Sequence, residues 1–269
     1  MGGLRTCTSQ QPLEKLSNLK PIGKKGSRAA RYQGRMFMQA AEPTNVQSDR
    51  AWGLAHHFDN FEQQREASFL GMWVFLVTEI MFFGGLFTAY VVYRSANARA
   101  FALGSKELDI TLGAFNTAVL IGSSLTMALA VWAAQQGKRK QIALFLVLTI
   151  LLGGVFLGVK AVEYRAKIDH HLLPGPDFHF EVTEVDEILG VQEGNVQMFF
   201  NLYFAMTGLH ALHMIIGIGV LLVMVVLALR GSFSRENHNL VECMGLYWHF
   251  VDIIWIFLFP LLYLLGRNL

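Results

Sequence analysis

The sequence predicts an all-α integral membrane protein, a bundle of five transmembrane helices with a polar N-terminal extension. Of the 269 residues, 53% are hydrophobic and only 16% are charged, well below the charged quarter typical of soluble domains. Five apolar stretches also reach the roughly 20 residues that a helix needs to cross a hydrocarbon core about 30 Å thick. We therefore expect the bilayer to be the solvent for most of the chain.

The five predicted spans share a high apolar content and few charges. They cover approximately residues 67–94, 111–135, 141–164, 198–229 and 244–266. The fourth is the longest, so we expect it to tilt or to project beyond the membrane. Pro260 is the only proline in any span, so the sequence does not indicate the broken helices of many transporters. The predicted membrane domain is residues 67–269.

Residues 1–66 form a predicted polar, basic segment, partly disordered, with ten Lys or Arg and no apolar run of signal-peptide length. Basic residues outside the spans are concentrated on the side that holds this segment, the 136–140 turn and the 230–243 loop. The positive-inside rule then predicts a cytoplasmic N-terminus and a C-terminus outside, an orientation that depends mainly on the N-terminal segment. The acidic 165–197 loop, which contains Pro174-Gly175-Pro176, is expected outside.

Glu79 lies near the middle of the first predicted span. A carboxyl group at that depth loses its hydration, which favours the neutral form and makes exchange of a proton feasible. One interpretation is a proton-handling group. The other, which is more common for such residues, is a neutral hydrogen-bonding carboxyl that holds helices or a lipid together.

Two histidines of the fourth span, His210 and His213, are three residues apart and share a helix face. The spacing is a weak metal or haem signal, because such sites need further ligands from other helices. Interhelical hydrogen bonding is the simpler alternative. We expect no metal bound by this chain.

His249 and Asp252 open the last predicted span on one helix face. Such a pair can relay a proton, fix a tautomer or bind a lipid headgroup near the interface. It has no nearby Ser or Cys to activate, so hydrolysis is not indicated. At the exit of the third span, Lys160 and Glu163 are expected to form a local ion pair at interfacial depth, beside Tyr164 as an interface anchor.

Taken together, these segments resemble subunit III of the haem-copper terminal oxidases over roughly residues 67–266. The ordered conjunction of the motifs is specific, although no single one is diagnostic. The resemblance is carried by Gly71-Met72-Trp73, residues 79–85, Asn116-Thr117, Ser123-Ser124, Phe156-Leu157-Gly158, Glu163-Tyr164, Thr207-Gly208-Leu209-His210 with His213 and Gly217, and residues 247–255.

The resemblance implies an accessory subunit without a redox centre or a catalytic residue of its own. It would pack against catalytic subunit I and subunit II, which hold the haem and copper, would bind phospholipid and no nucleic acid, and would support proton uptake. The complex would oxidise cytochrome c or quinol, reduce oxygen to water and pump protons. The family's mitochondrial form has seven spans, whereas the five-span form is similar to that of many bacterial oxidases, which implies a bacterial plasma membrane.

The resemblance also implies roles for the polar residues. Glu79 is the candidate for proton uptake or lipid contact, and Glu163, His210, His213, His249 and Asp252 are candidate intramembrane structural groups. Two other functions remain open at this point. One is an accessory subunit of a quinol oxidase or a nitric oxide reductase; the other is a self-contained b-type cytochrome that uses the three intramembrane histidines.

Overall fold

The protein was analysed as a computed structural model, which describes residues 58, 61–175, 178–180, 182–188, 190–231, 233 and 238–268. The predicted N-terminal segment, residues 1–66, lies outside the described residues except for residue 58 and residues 61–66, which begin the first helix. Nearly all the rest of the described chain is helical.

Five long helices are each apolar enough to cross a membrane, which confirms the predicted all-α, five-span architecture. They are α1 (Phe61–Ala96), α3 (Ile110–Gln135), α4 (Arg139–Asp169), α6 (Glu193–Arg230) and α7 (Asn239–Phe259). Several extend beyond the apolar stretch that predicted them, because helical backbone continues into the polar interface. Two short helices, α2 (Ala98–Lys106) and α5 (Glu184–Ile188), lie in the loops after α1 and α4.

Local residues set where some of these helices begin and end. The Asp109 carboxylate caps α3 by accepting hydrogen bonds from the backbone N–H groups of Thr111, at 2.8 Å, and Leu112, at 3.4 Å. α6 stops at Gly231, whose φ of +80° is a left-handed conformation that glycine adopts without strain.

α7 is central to the bundle, because it packs against α1, α3 and α6. Two fully buried tryptophans of α7 fix its contact with α3. The Trp248 indole N–H donates to Ser123 Oγ at 2.7 Å, and the Trp255 indole N–H donates to Thr117 Oγ1 at 3.1 Å. These bonds satisfy polar groups that the hydrocarbon core could not, so they define the register of the two helices.

The last span is continuous but changes its helical form near the chain end. α7 ends at Phe259, a π-helical turn covers Pro260–Leu264, and a 3-10 turn covers Leu265–Asn268. Proline has no N–H to donate to the carbonyl one turn earlier, so the regular α-helical ladder is interrupted at Pro260.

Side chains from α1 and α2 donate hydrogen bonds to backbone carbonyl groups of the π turn. Tyr90 Oη donates to the Leu261 carbonyl at 2.9 Å, and Ser105 Oγ donates to the Leu262 carbonyl at 2.8 Å. α2 therefore anchors the C-terminal turns, a function the sequence pattern did not reveal.

Lys160 and Glu163 form the most extensive polar cluster of the interior. Lys160 Nζ lies 3.0 Å from Glu163 Oε2, and both side chains are 4% exposed. Lys160 also donates to the hydroxyls of Tyr203, at 3.2 Å, and Tyr263, at 2.9 Å. The same two hydroxyls donate to Glu163 Oε1, at 2.9 and 2.5 Å. The hydrogen bonds therefore close a loop that joins α4, α6 and the C-terminal π turn.

This geometry corrects one expectation. The ion pair forms as predicted, but it lies inside the bundle instead of reaching the interface. The apolar surroundings exclude water, so the tyrosine hydroxyls replace it as partners of both charges. Tyr164 likewise points inward and contacts Thr207 Oγ1 at 2.5 Å.

Helix packing around Trp248 gives a first prediction. A Cβ added at Gly217 would stand 3.0 Å from the Trp248 ring and 3.1 Å from Tyr247, whereas one at Gly219 would meet no described atom within 4 Å. Gly217→Val should lower the free energy of unfolding by about 1–3 kcal/mol through overpacking. Gly219→Val is the matched control. Denaturant unfolding of the detergent-solubilised chain measures both, and equal stability of the two variants would contradict the packing.

The buried ion pair gives a second prediction. Lys160→Met should cost about 3–5 kcal/mol of unfolding free energy, because it leaves the Glu163 carboxylate buried without a cation. The double variant Lys160→Met/Glu163→Leu should be more stable than this single variant. Exposed Lys140→Met is the control. The same unfolding assay is applied to the double variant and to the single variants Lys160→Met and Glu163→Leu. If the loss of unfolding free energy in the double variant equals the sum of the losses in the two single variants, the two charges do not depend on each other.

Candidate functional site

Glu79 and His213 meet at the contact between α1 and α6. Glu79 Oε2 lies 3.2 Å from His213 Nε2, with side-chain exposures of 20% and 13%. The His213 ring packs on Phe83 at 5.5 Å, and Tyr247 of α7 donates its hydroxyl to the His213 carbonyl at 2.9 Å. Three helices therefore position a carboxyl and an imidazole at the edge of the bundle, partly accessible from its surface.

A hydrogen bond within α6 orients the His213 ring. His213 Nδ1 lies 2.9 Å from the Leu209 carbonyl, and a carbonyl oxygen can only accept, so Nδ1 is the donor in this contact. This leaves Nε2 as the ring nitrogen that faces Glu79 Oε2. The two residues are far apart in sequence, so the spacing rules that identified each of them could not predict that they pair.

His210 occupies a different environment from His213, although both belong to α6. Its ring is fully buried against Phe156 of α4, at 5.4 Å, and Trp255 of α7, at 5.3 Å. Neither ring nitrogen has a hydrogen-bond partner within the described part of the chain. His210 therefore faces α4 and α7 while His213 faces α1, and the structure does not direct the two imidazoles to one site.

His249 and Asp252 lie deeper than their sequence position suggested. α7 begins at Asn239, so at about 1.5 Å per residue His249 lies about 15 Å and Asp252 about 20 Å along the helix. This places them near the middle of the long helix α7, which begins five residues before the apolar stretch that predicted it. The expected contact with a lipid headgroup stays a prediction.

The structure also brings a serine to this pair, which sequence spacing had not indicated. Ser124 Oγ of α3 lies 2.7 Å from His249 Nδ1. Asp252 is 3% exposed, and neither of its carboxylate oxygens forms a hydrogen bond of good geometry with a described residue, although the Ser124 hydroxyl is close enough to interact with it. A catalytic triad requires the acid to bind the imidazole. Ser124, His249 and Asp252 do not have that arrangement, so the geometry gives no support for hydrolysis.

Glu163, the remaining candidate, belongs to the interior cluster with Lys160 and is separate from both pairs at the bundle surface. In the ranges that the structure describes, no group of three or more His, Cys, Asp or Glu residues is arranged to hold a metal ion. The three intramembrane histidines, His210, His213 and His249, each contact different neighbours.

Comparison with known proteins identifies the family. The family model for cytochrome c oxidase subunit III matches residues 55–169 and 194–267, which includes all five long helices. The unmatched segment, residues 170–193, coincides with most of the acidic loop and with α5.

Relatives agree with this match over most of their length. The chain is 32% identical to cytochrome c oxidase subunit 3 of Thermostichus vulcanus over 80% of this chain and 96% of the relative. It is 34% identical to the Synechocystis protein of the same name, over 72% and 74% of the two chains. Subunit 3 of the cytochrome bo(3) ubiquinol oxidase of Pseudomonas aeruginosa is 28% identical, over 79% and 92%.

The family match covers well over half of the chain, and the motifs that suggested a resemblance lie within the matched residues. The relatives are subunit 3 proteins of both cytochrome c oxidases and quinol oxidases. The chain is a multi-pass membrane protein that belongs to the cytochrome c oxidase subunit III family.

Proposed function

We propose that this chain is the accessory subunit III of a proton-pumping haem-copper cytochrome c oxidase of aerobic respiration. The observation that carries the proposal is the family match across all five long helices. The first relatives by name, from Thermostichus vulcanus and Synechocystis, are cytochrome c oxidase subunits and favour cytochrome c as the electron donor. The chain has no catalytic role of its own in this proposal.

Its partners in the proposal are catalytic subunit I and subunit II, with haem and copper held by them. The surface of α1 supports a role in docking, because only 11% of its most apolar stretch is buried within the chain. Met81 and Phe82 are exposed there, and a Cβ on Gly84 or Gly85 would meet no described atom within 4 Å. A flat apolar helix face with small residues suits close contact with another transmembrane helix or a phospholipid.

The membrane in this proposal is the bacterial inner membrane, with the N-terminus in the cytoplasm and the C-terminus outside. The excess of Lys and Arg on the N-terminal side supports this orientation.

The Glu79–His213 pair is the group through which the chain would support proton uptake. The reduction of oxygen to water consumes protons, so a supply to the catalytic subunit limits turnover. A carboxyl and an imidazole that lie 3.2 Å apart and are 20% and 13% exposed offer a place at the bundle surface where a proton would be taken up and released. The same pair also links α1 to α6, so its structural role must be separated from its proton role by experiment.

Purification of the tagged chain from its native membrane tests the assembly. The expected result is a complex that contains haem and copper and consumes oxygen with reduced cytochrome c. A complex that instead oxidises only quinol would make the chain a quinol oxidase subunit, the alternative that the Pseudomonas aeruginosa relative favours. Reduction of nitric oxide, or a haem spectrum from the isolated chain, would overturn the proposal.

Two substitutions at Glu79 separate proton exchange from packing. Glu79→Gln preserves a hydrogen-bond donor to His213 but removes the exchangeable proton, whereas Glu79→Ala removes both. We expect Glu79→Gln to lower the turnover, the proton pumping or the functional lifetime of the purified oxidase. Exposed Glu66→Gln on the same helix is the control. Normal activity in Glu79→Gln together with impaired activity in Glu79→Ala would assign the residue to packing alone.

A further inference from the structure

A groove of about 460 Å³ opens between α3 and α7. Its walls are mostly aliphatic side chains from the two helices, among them Leu125 and Ile256. Three polar residues also line it, namely Ser124, His249 and Asp252. Small-molecule sites have this character: a volume of about 300–1,000 Å³, apolar walls and a few polar groups that set orientation.

The depth of the groove limits what can occupy it. Asp252 is 13 residues after the start of α7 and 12 residues before Leu264, the end of the apolar stretch. At about 1.5 Å per residue, it is nearly 20 Å from either end. A charged headgroup near the middle of an apolar span is costly, so the position favours an uncharged ligand. Acyl chains can reach the groove, but they cannot form hydrogen bonds.

The polar groups of the groove are suited to an uncharged ligand that carries oxygen atoms. Asp252 is 3% exposed, and its two oxygens form no hydrogen bond of good geometry in the described ranges. Ser124 occupies Nδ1 of His249, so Nε2 is the ring nitrogen that remains for another contact. Depending on the tautomer, Nε2 donates to a carbonyl or accepts from a hydroxyl, and Asp252 can do either according to its protonation state.

We propose that this groove binds a membrane-soluble quinone or quinol, through hydrogen bonds from its ring oxygens to His249 and Asp252. A flat, uncharged ring with carbonyl or hydroxyl groups and an apolar tail matches the volume, the walls and the depth together. A neutral hydroxyl-bearing lipid, such as a diacylglycerol, offers related chemistry from a different source. The proposal concerns binding alone, includes no electron transfer, and does not depend on which donor the complex oxidises.

Photolabelling of the purified complex tests this assignment. The probe is an azidoquinone with a decyl tail, and labelled peptides are mapped by mass spectrometry. Labelling is expected in α3 near Ser124 and in α7 near His249, and decylubiquinone should compete with it in a saturable manner. A photoreactive diacylglycerol, used in parallel, is expected to label the groove weakly or not at all.

Variants on α7 locate the binding determinants. Asp252→Leu should weaken competition by decylubiquinone about tenfold, the factor for roughly one lost hydrogen bond. Asp252→Asn should retain most of the binding because its amide can still bond an oxygen. Glu242→Leu is the matched control: it removes a carboxyl of the same helix that contacts Gln135 and His238 and does not line the groove.

A further variant keeps the test decisive if Asp252→Leu does not fold. Leu125 is 62% exposed, so Leu125→Trp fills the groove without disturbing the core and should abolish labelling. Labelling by the diacylglycerol in place of the quinone, or a cross-link showing that a neighbouring subunit's helix fills the groove, would overturn the assignment. Oxygen consumption of the same preparation reports on the proposed function separately.

Discussion

The ion pair between Lys160 and Glu163 is the interaction on which the rest of the bundle depends. A buried ion pair is stable only when every remaining donor and acceptor is satisfied, and here Tyr203 and Tyr263 satisfy both charges at once. Tyr263 belongs to the π turn after Pro260, so the irregular chain end contributes a partner to both charges. Side chains of α1 and α2 donate to two carbonyl groups of the same turn.

Polar groups of the membrane domain differ in whether they have a hydrogen-bond partner within the described chain. Many interior groups bond to one another, as in the contacts of Ser123 with Trp248 and of Thr126 with Thr149, at 2.7 and 2.8 Å. Other buried groups, the His210 ring and the Asp252 carboxylate, have no such partner among the described residues. The bonded groups stabilise a single packing, whereas a polar group without a partner at membrane depth is costly and marks a place to look for a ligand or a neighbouring subunit.

Much of the architecture follows from sequence alone, because the length and apolarity of the five stretches leave no other way to satisfy their backbone in a bilayer. The local contact of Lys160 with Glu163 also follows from helical spacing. What could not be predicted depends on pairing between distant segments. The meeting of Glu79 with His213, the approach of Ser124 to His249 and the burial of Lys160 all require knowledge of which helix faces are adjacent. α2 was missed because its nine residues lack a span's length and bury their apolar face against distant segments, α6 and the C-terminal turns, as well as against α1.

α7 lies between the Glu79–His213 pair and the groove that it forms with α3. Its Tyr247 and Phe250 rings contact Phe75 and Phe83 of α1, on the side of the Glu79–His213 pair. Its His249 and Asp252 line the groove with α3, and they lie on a different face of the same helix. Among the described residues no hydrogen bond joins these two faces, so we expect a substitution at one site to affect the other mainly through the packing of α7. Trp248 and Trp255 resist such changes, since each is fully buried and bonded to α3. The packing of α7 therefore keeps the Glu79–His213 pair and the groove between α3 and α7 on separate faces of one helix.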